Sequence, residues 1–124
     1  MDIKIKKLKG INIAEIVSDE VLIQDVQDAV DLMAECNYRD AECIILKEIN
    51  LTKDFFDLKT RIAGEILQKF SNYRLRLAIA GDFSKYTSKS LKDFIYESNR
   101  TGRIYFTASV DEAYEKLSGS KTQN

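Results

Sequence analysis

The sequence predicts a single α/β domain whose elements run β-β-α-β-α-β-α-β-α, building a mixed five-stranded sheet that opens on an N-terminal hairpin. Three observations predict it. Cys43-Ile44-Ile45-Leu46 and the run formed by Leu75, Leu77, Ala78, Ile79 and Ala80 are short and bounded, as expected of strands buried in a parallel sheet. Around them, apolar residues recur at helical spacing. At the start, apolar residues alternate with lysines on one side of Lys9-Gly10 and resume beyond it.

Taken in order, Ile3, Ile5 and Leu8 lead into the Lys9-Gly10 turn, and Ile11, Ile13, Ile16 and Val17 follow, a hairpin of open register. Val26, Ala29, Val30, Met33 and Ala34 share one helical face, with acidic and amide residues from Gln24 to Glu35 as its solvated remainder. That helix is expected to end near Asn37, since Asn tolerates the left-handed conformation common past a helix end. Val21-Leu22-Ile23 reads equally as an extended lead-in or a first helical turn. After the Cys43–Leu46 strand, Leu58, Ile62, Ala63, Ile66, Leu67 and Phe70 predict a long helix capped by Thr52 or Asp54. Gly64 lies inside it, at about 1 kcal/mol relative to Ala, and is read as permitting close packing against a neighbour. Leu91, Phe94, Ile95 and Ser98 predict the next helix, with Ser90 and Asp93 in a capping-box arrangement. Asn99–Gly102 reads as a turn, and Arg103–Ala108 as a last strand with Tyr105 and Thr107 on its less buried face. Ser109 and Glu112 form a capping-box pattern ahead of Val110, Ala113, Tyr114 and Leu117, a final amphipathic helix closed by Gly119. Strands separated by such helices call for right-handed parallel crossovers, with the first strand antiparallel and the helices mainly on one face.

Composition fits one domain over residues 1–117 and a frayed tail, 118–124, of linker composition. The 124 residues suffice for a core without disulfides or metal. Nineteen basic and 20 acidic residues leave a net charge of −1, which supplies no field for nucleic acid or anionic lipid. No apolar run is long enough to cross a membrane. The start alternates charge and apolar residues instead of forming a signal peptide's apolar core, so a cytoplasmic protein is expected. The chain has no histidine, which excludes catalytic triads built on that base, and its two cysteines, Cys36 and Cys43, read as core thiols. No metal and no cofactor are expected.

In parallel sheets, sites gather beyond the carboxyl ends of the strands. The loops after Leu46 and Ala80 leave the sheet at the same edge, which brings Glu48, Asn50, Thr52, Asp54, Asp82, Ser84, Tyr86, Thr87 and Ser88 into one neighbourhood. The segments Asp54–Tyr73 and Gly81–Arg100 resemble a small bacterial family known only as domain of unknown function 4180, and the resemblance extends over nearly the whole chain. In element order the chain also resembles the STAS domains, the anti-sigma-factor antagonists and their transporter-linked relatives. That resemblance implies a surface that binds another protein. The Asp-Ser-x-Gly phosphorylation motif of those antagonists reads Asp57-Leu58-Lys59-Thr60 here, so the phosphorylated serine has no counterpart.

Three classes of function follow. The first is a non-catalytic regulatory or protein-interaction module with a protein partner. The second is a binder of a small anionic or nucleotide-like ligand, with Ser84, Lys85, Thr87, Ser88, Lys89 and Arg100 as donors near a helix start. The third is an enzyme using Glu48, Asp57 and Asp82 for acid–base work. Tyr38, Tyr73, Tyr86, Tyr96 and Tyr105, if exposed, would suit a homo-oligomer interface.

Overall fold

The structure, a computed structural model, describes residues 1–102 and 104–119. It has the predicted order: β1 (Asp2–Leu8), β2 (Ile11–Val17), α1 (Val26–Tyr38), β3 (Cys43–Lys47), α2 (Ile62–Asn72), β4 (Arg76–Ala80), α3 (Lys89–Thr101), β5 (Ile104–Thr107) and α4 (Val110–Gly119). The sheet order is β1-β2-β3-β4-β5, with only the β1–β2 pair antiparallel. Lys9 and Gly10 both have positive φ, 50° and 81°, the conformation of a tight hairpin turn whose twist matches the flanking strands. That turn fixes the open register by setting Leu8 opposite Ile11 and Asp2 opposite Val17.

Alternation along the strands divides the core in two. Ala14, Ile16, Ile44, Leu46, Leu77, Ile79, Ile104 and Phe106 face α1, α2 and α3, whereas Ile11, Ile13, Cys43, Ile45, Ala78 and Tyr105 face α4. Three helices against one is the predicted asymmetry. β5 departs from expectation: all four of its residues are buried, because α4 covers the second face and the Arg76 guanidinium lies over the Tyr105 ring at 5.7 Å. Tyr105 is therefore not a surface aromatic; Tyr86 is half-buried, and Tyr38, Tyr73 and Tyr96 are exposed.

Several element boundaries are corrected by local side chains. The buried face of α1 is Ala29, Leu32, Met33 and Cys36, rotated from the predicted stripe, and Ala34 is exposed. Asp25 caps α1 by accepting from Asp28 N–H, and the Asp28 carboxylate accepts from Gln24 N–H in return. The left-handed residue past α1 is Asp40 rather than Asn37. Ile23 lies extended, bridged in parallel to Leu51. A 3₁₀ turn, Glu48–Asn50, follows β3; the first part of the long helix expected after Thr52 or Asp54 is instead two more 3₁₀ turns, Lys53–Phe56 and Leu58–Thr60, and α2 begins only at Ile62. Thr52, Asp57 and Thr60 bond to nearby backbone groups there, the competition that makes such residues poor helix interiors. α3 is capped by Ser88, which accepts from Leu91 N–H, not by Ser90, and Asp93 pairs with Lys89. α3 also runs through the predicted turn to Thr101, with Gly102 (φ 73°) at its end. Ser109 caps α4 by accepting from Glu112 N–H, and α4 includes Ser118 and Gly119; residues 120–124 of the expected tail lie outside the described residues. No described helix is long and apolar enough to cross a membrane.

Candidate functional site

At the carboxyl edge of the parallel strands, the loops after β3 and β4 do meet. Glu48 follows β3 and receives hydrogen bonds from the Tyr86 hydroxyl and from Lys85 Nζ, the latter at 2.7 Å. Gly81 ends β4 directly against Glu48. A Cβ there would stand 2.7 Å from Glu48 Cβ, so the close approach of the two loops requires glycine. Below this cluster Tyr86 stacks on Phe56 with ring centroids 5.0 Å apart, and Phe83 bridges Phe56 to Phe106. The loop from Gly81 to Ser88 is thus pinned by a packed aromatic row and a carboxylate. Burial and the Glu48 carboxylate both push the Tyr86 hydroxyl well above its ordinary value.

The other candidates at this edge are engaged within the chain. Asn50 is 0% exposed, out of reach of a ligand. Its Nδ2 donates to Ser18 O and Glu20 O, and its Oδ1 accepts from Lys47 N–H. Thr52 accepts from Asp54 N–H and Asp57 from Lys59 N–H. The Asp82 carboxylate accepts from the hydroxyl and N–H of Ser84, which holds its pKa below the usual carboxylate value. Ser88 caps α3, Lys89 pairs with Asp93, and Thr87 is exposed. Arg100 does not belong to this neighbourhood: it lies eleven residues along α3 from Lys89, about 16 Å away along the helix axis. There it pairs with Glu97. Leu58, where a STAS-like motif would carry its serine, is half-buried against the main core. Among the described residues, no three Cys, Asp or Glu side chains converge as a metal ion would need, and no buried side-chain polar atom lacks a partner.

An apolar concavity lies at the opposite edge, lined by none of the site residues named from the sequence. α2 leans on α1, while α3 packs on β5, and a groove of about 600 Å³ separates α2 from α3. Its floor is Phe70, Leu75 and Ile104, and Leu67 and Phe94 stand half-buried on its sides. Gly64 opens into it with nothing within 4 Å of where a Cβ would sit, so the close packing expected of this glycine is absent. At the far end Arg74, in left-handed conformation (φ 58°), terminates α2: Leu75 N–H donates to Phe70 O and Arg74 N–H to Ser71 O, satisfying the last carbonyls. Arg74 is exposed and forms no ion pair among the described residues. Arg76 beside it donates to Leu117 O. The local signal for this groove was Gly64 itself, a helix-weakening residue with no packing reason inside the chain.

The molecule is thus a single α/β domain with a five-stranded mixed sheet, a closed polar cluster at one edge and an apolar groove at the other. The chain belongs to the family described as domain of unknown function (DUF4180), whose model matches residues 8–117. No curated protein and no solved structure matches it.

Proposed function

We propose that this chain is a non-catalytic regulatory or protein-interaction module that receives a helical segment of another protein in the groove between α2 and α3. The observation that carries this reading is the groove itself, the place where the main core reaches the surface between two helices. Concave apolar surfaces of this kind are the usual seats of amphipathic helices. The element order resembles that of the STAS antagonists, which act by binding proteins, and that analogy of fold leans the same way.

The carboxyl edge lends less support to an anionic ligand. Lys85, Lys89 and Arg100 each already face a carboxylate of the same chain, and an anion would have to displace Glu48, Asp93 or Glu97. Among the acid–base candidates, the hydrogen bonds from Ser84 lower the Asp82 pKa and so disfavour its proton-donating form, and Glu48 is already paired with Tyr86 and Lys85.

Affinity capture with three immobilised forms tests the reading: the native chain, Leu67→Glu in the groove, and Glu48→Gln at the opposite edge. The expected result is a protein retained from a lysate of the native host by the native chain and by Glu48→Gln, but not by Leu67→Glu. Recovery unchanged by Leu67→Glu, or lost only with Glu48→Gln, overturns it.

A further inference from the structure

The occupant's chemistry can be read from the walls of the groove, and this step rests on the docking reading above. α2 presents Gly64, Leu67 and Ser71 and α3 presents Phe94, Ser98 and Thr101, each set at helical i, i+3 or i+4, i+7 spacing. Small residues at that spacing leave furrows between ridges, into which the ridges of a third helix pack. Gly64 sharpens this. Nothing in the chain comes within 4 Å of its missing Cβ, so no internal contact requires glycine at a position where alanine would strengthen α2. A neighbour pressed against the α2 backbone would require it.

Charge supplies the second constraint. The lining carries Arg74, Arg76 and Glu97, two positive charges against one negative, and Glu97 is paired with Arg100. Arg76 is held by Leu117 O and the Tyr105 ring, which leaves Arg74 as the exposed cation at the end of the groove. Gly64 lies eight residues, about 12 Å or just over two turns, before the end of α2, and Arg74 follows two residues beyond that end. We infer that the groove takes an amphipathic helix of a partner protein, with a small residue packed on Gly64, aliphatic anchors between Leu67 and Phe94, and an acidic end at Arg74.

Two synthetic peptides of about four helical turns test this against the full chain labelled with ¹⁵N. Both carry leucines at i, i+3, i+4 and i+7 around a central alanine, and they differ only in having Glu or Lys in the terminal turn. The expected result is saturable binding of the Glu peptide, with amide shifts confined to the surroundings of Gly64, Leu67, Phe94 and Arg74. The Lys peptide should bind roughly tenfold more weakly at low salt, and exposed Arg74→Glu should reverse the order. Gly64→Leu should abolish binding of both peptides while leaving the thermal midpoint at or above that of the native chain. Equal affinity for the two peptides, shifts elsewhere, or no binding by either overturns the inference. So does a dimer in sedimentation that Gly64→Leu dissociates, because the occupant would then be a second copy. If the peptides fail but the lysate partner still depends on Leu67, the acidic helix falls and the docking reading stands. If capture is indifferent to Leu67, both fall.

Discussion

Single side chains decide more of this structure than their exposure in the sequence suggests. Asn50 ties the connector after β2 to the end of β3 through three side-chain hydrogen bonds. Asn50→Ala removes the hydrogen bonds to the half-buried Ser18 carbonyl and Lys47 N–H and to the Glu20 carbonyl, and is expected to lower stability by about 2 kcal/mol in urea unfolding. Its role was hidden in the sequence because an asparagine past a strand end looks the same whether it faces a ligand or its own backbone. Glu48 and Tyr86 were brought together correctly by strand direction alone, since parallel strands deliver their following loops to one edge. What strand direction could not show is that the pair closes on itself. A double-mutant cycle of Glu48→Gln and Tyr86→Phe should give a coupling of about 1 kcal/mol, with each single variant destabilised by about as much. Additivity within a few tenths of a kcal/mol would mean that the hydrogen bond contributes nothing beyond its separate parts.

At the scale of elements, legibility followed burial. β3 and β4 were plain because burial on both faces leaves continuous apolar runs. α1 was found but rotated, because Val30 and Ala34 make a second apolar stripe beside Leu32 and Cys36, and only the sheet selects between them. α2 was predicted too long, because Leu58 and Ile62 keep helical spacing across a segment where Arg61 is in left-handed conformation (φ 65°). The α3 cap makes a clean comparison between two serines two residues apart. Ser88→Ala is expected to cost about 1 kcal/mol in thermal unfolding and Ser90→Ala close to nothing. The reverse result would move the start of α3 to the position read from the sequence. The groove between α2 and α3 could not be read at this scale, since it depends on how far apart two helices settle on the sheet.

For the whole molecule, the buried thiol and two tyrosines set the alkaline limit. Burial raises Cys36 from 9.0 to about 11, and burial with a carboxylate partner holds Tyr86 and Tyr114 well above 10.0. Each group stays protonated in the folded chain at a pH where the unfolded chain has begun to lose the proton. Stability is therefore full below about pH 9 and declines as pH rises through the folded-state values. The urea midpoint should fall between pH 8 and 11, more gently when Tyr86→Phe and Tyr114→Phe are combined; a flat profile in the native chain contradicts this. Cys36 and Cys43, both buried, should react with thiol reagents at pH 8 only as fast as the chain opens.

The sheet order repeats the chain order, so each strand leaving the ribosome finds its neighbour already made, and the sheet grows from one side. The face carrying Ile11, Ile13, Cys43 and Ile45 has α4 as its cover, and α4 follows all five strands in the chain. A nascent chain short of Ser109 therefore presents a finished sheet with one greasy side bare, a target for chaperones or for other nascent copies. Emergence of α4 covers that face, and chains ending at Ala108 are expected to pellet after expression where chains that include α4 stay in the supernatant.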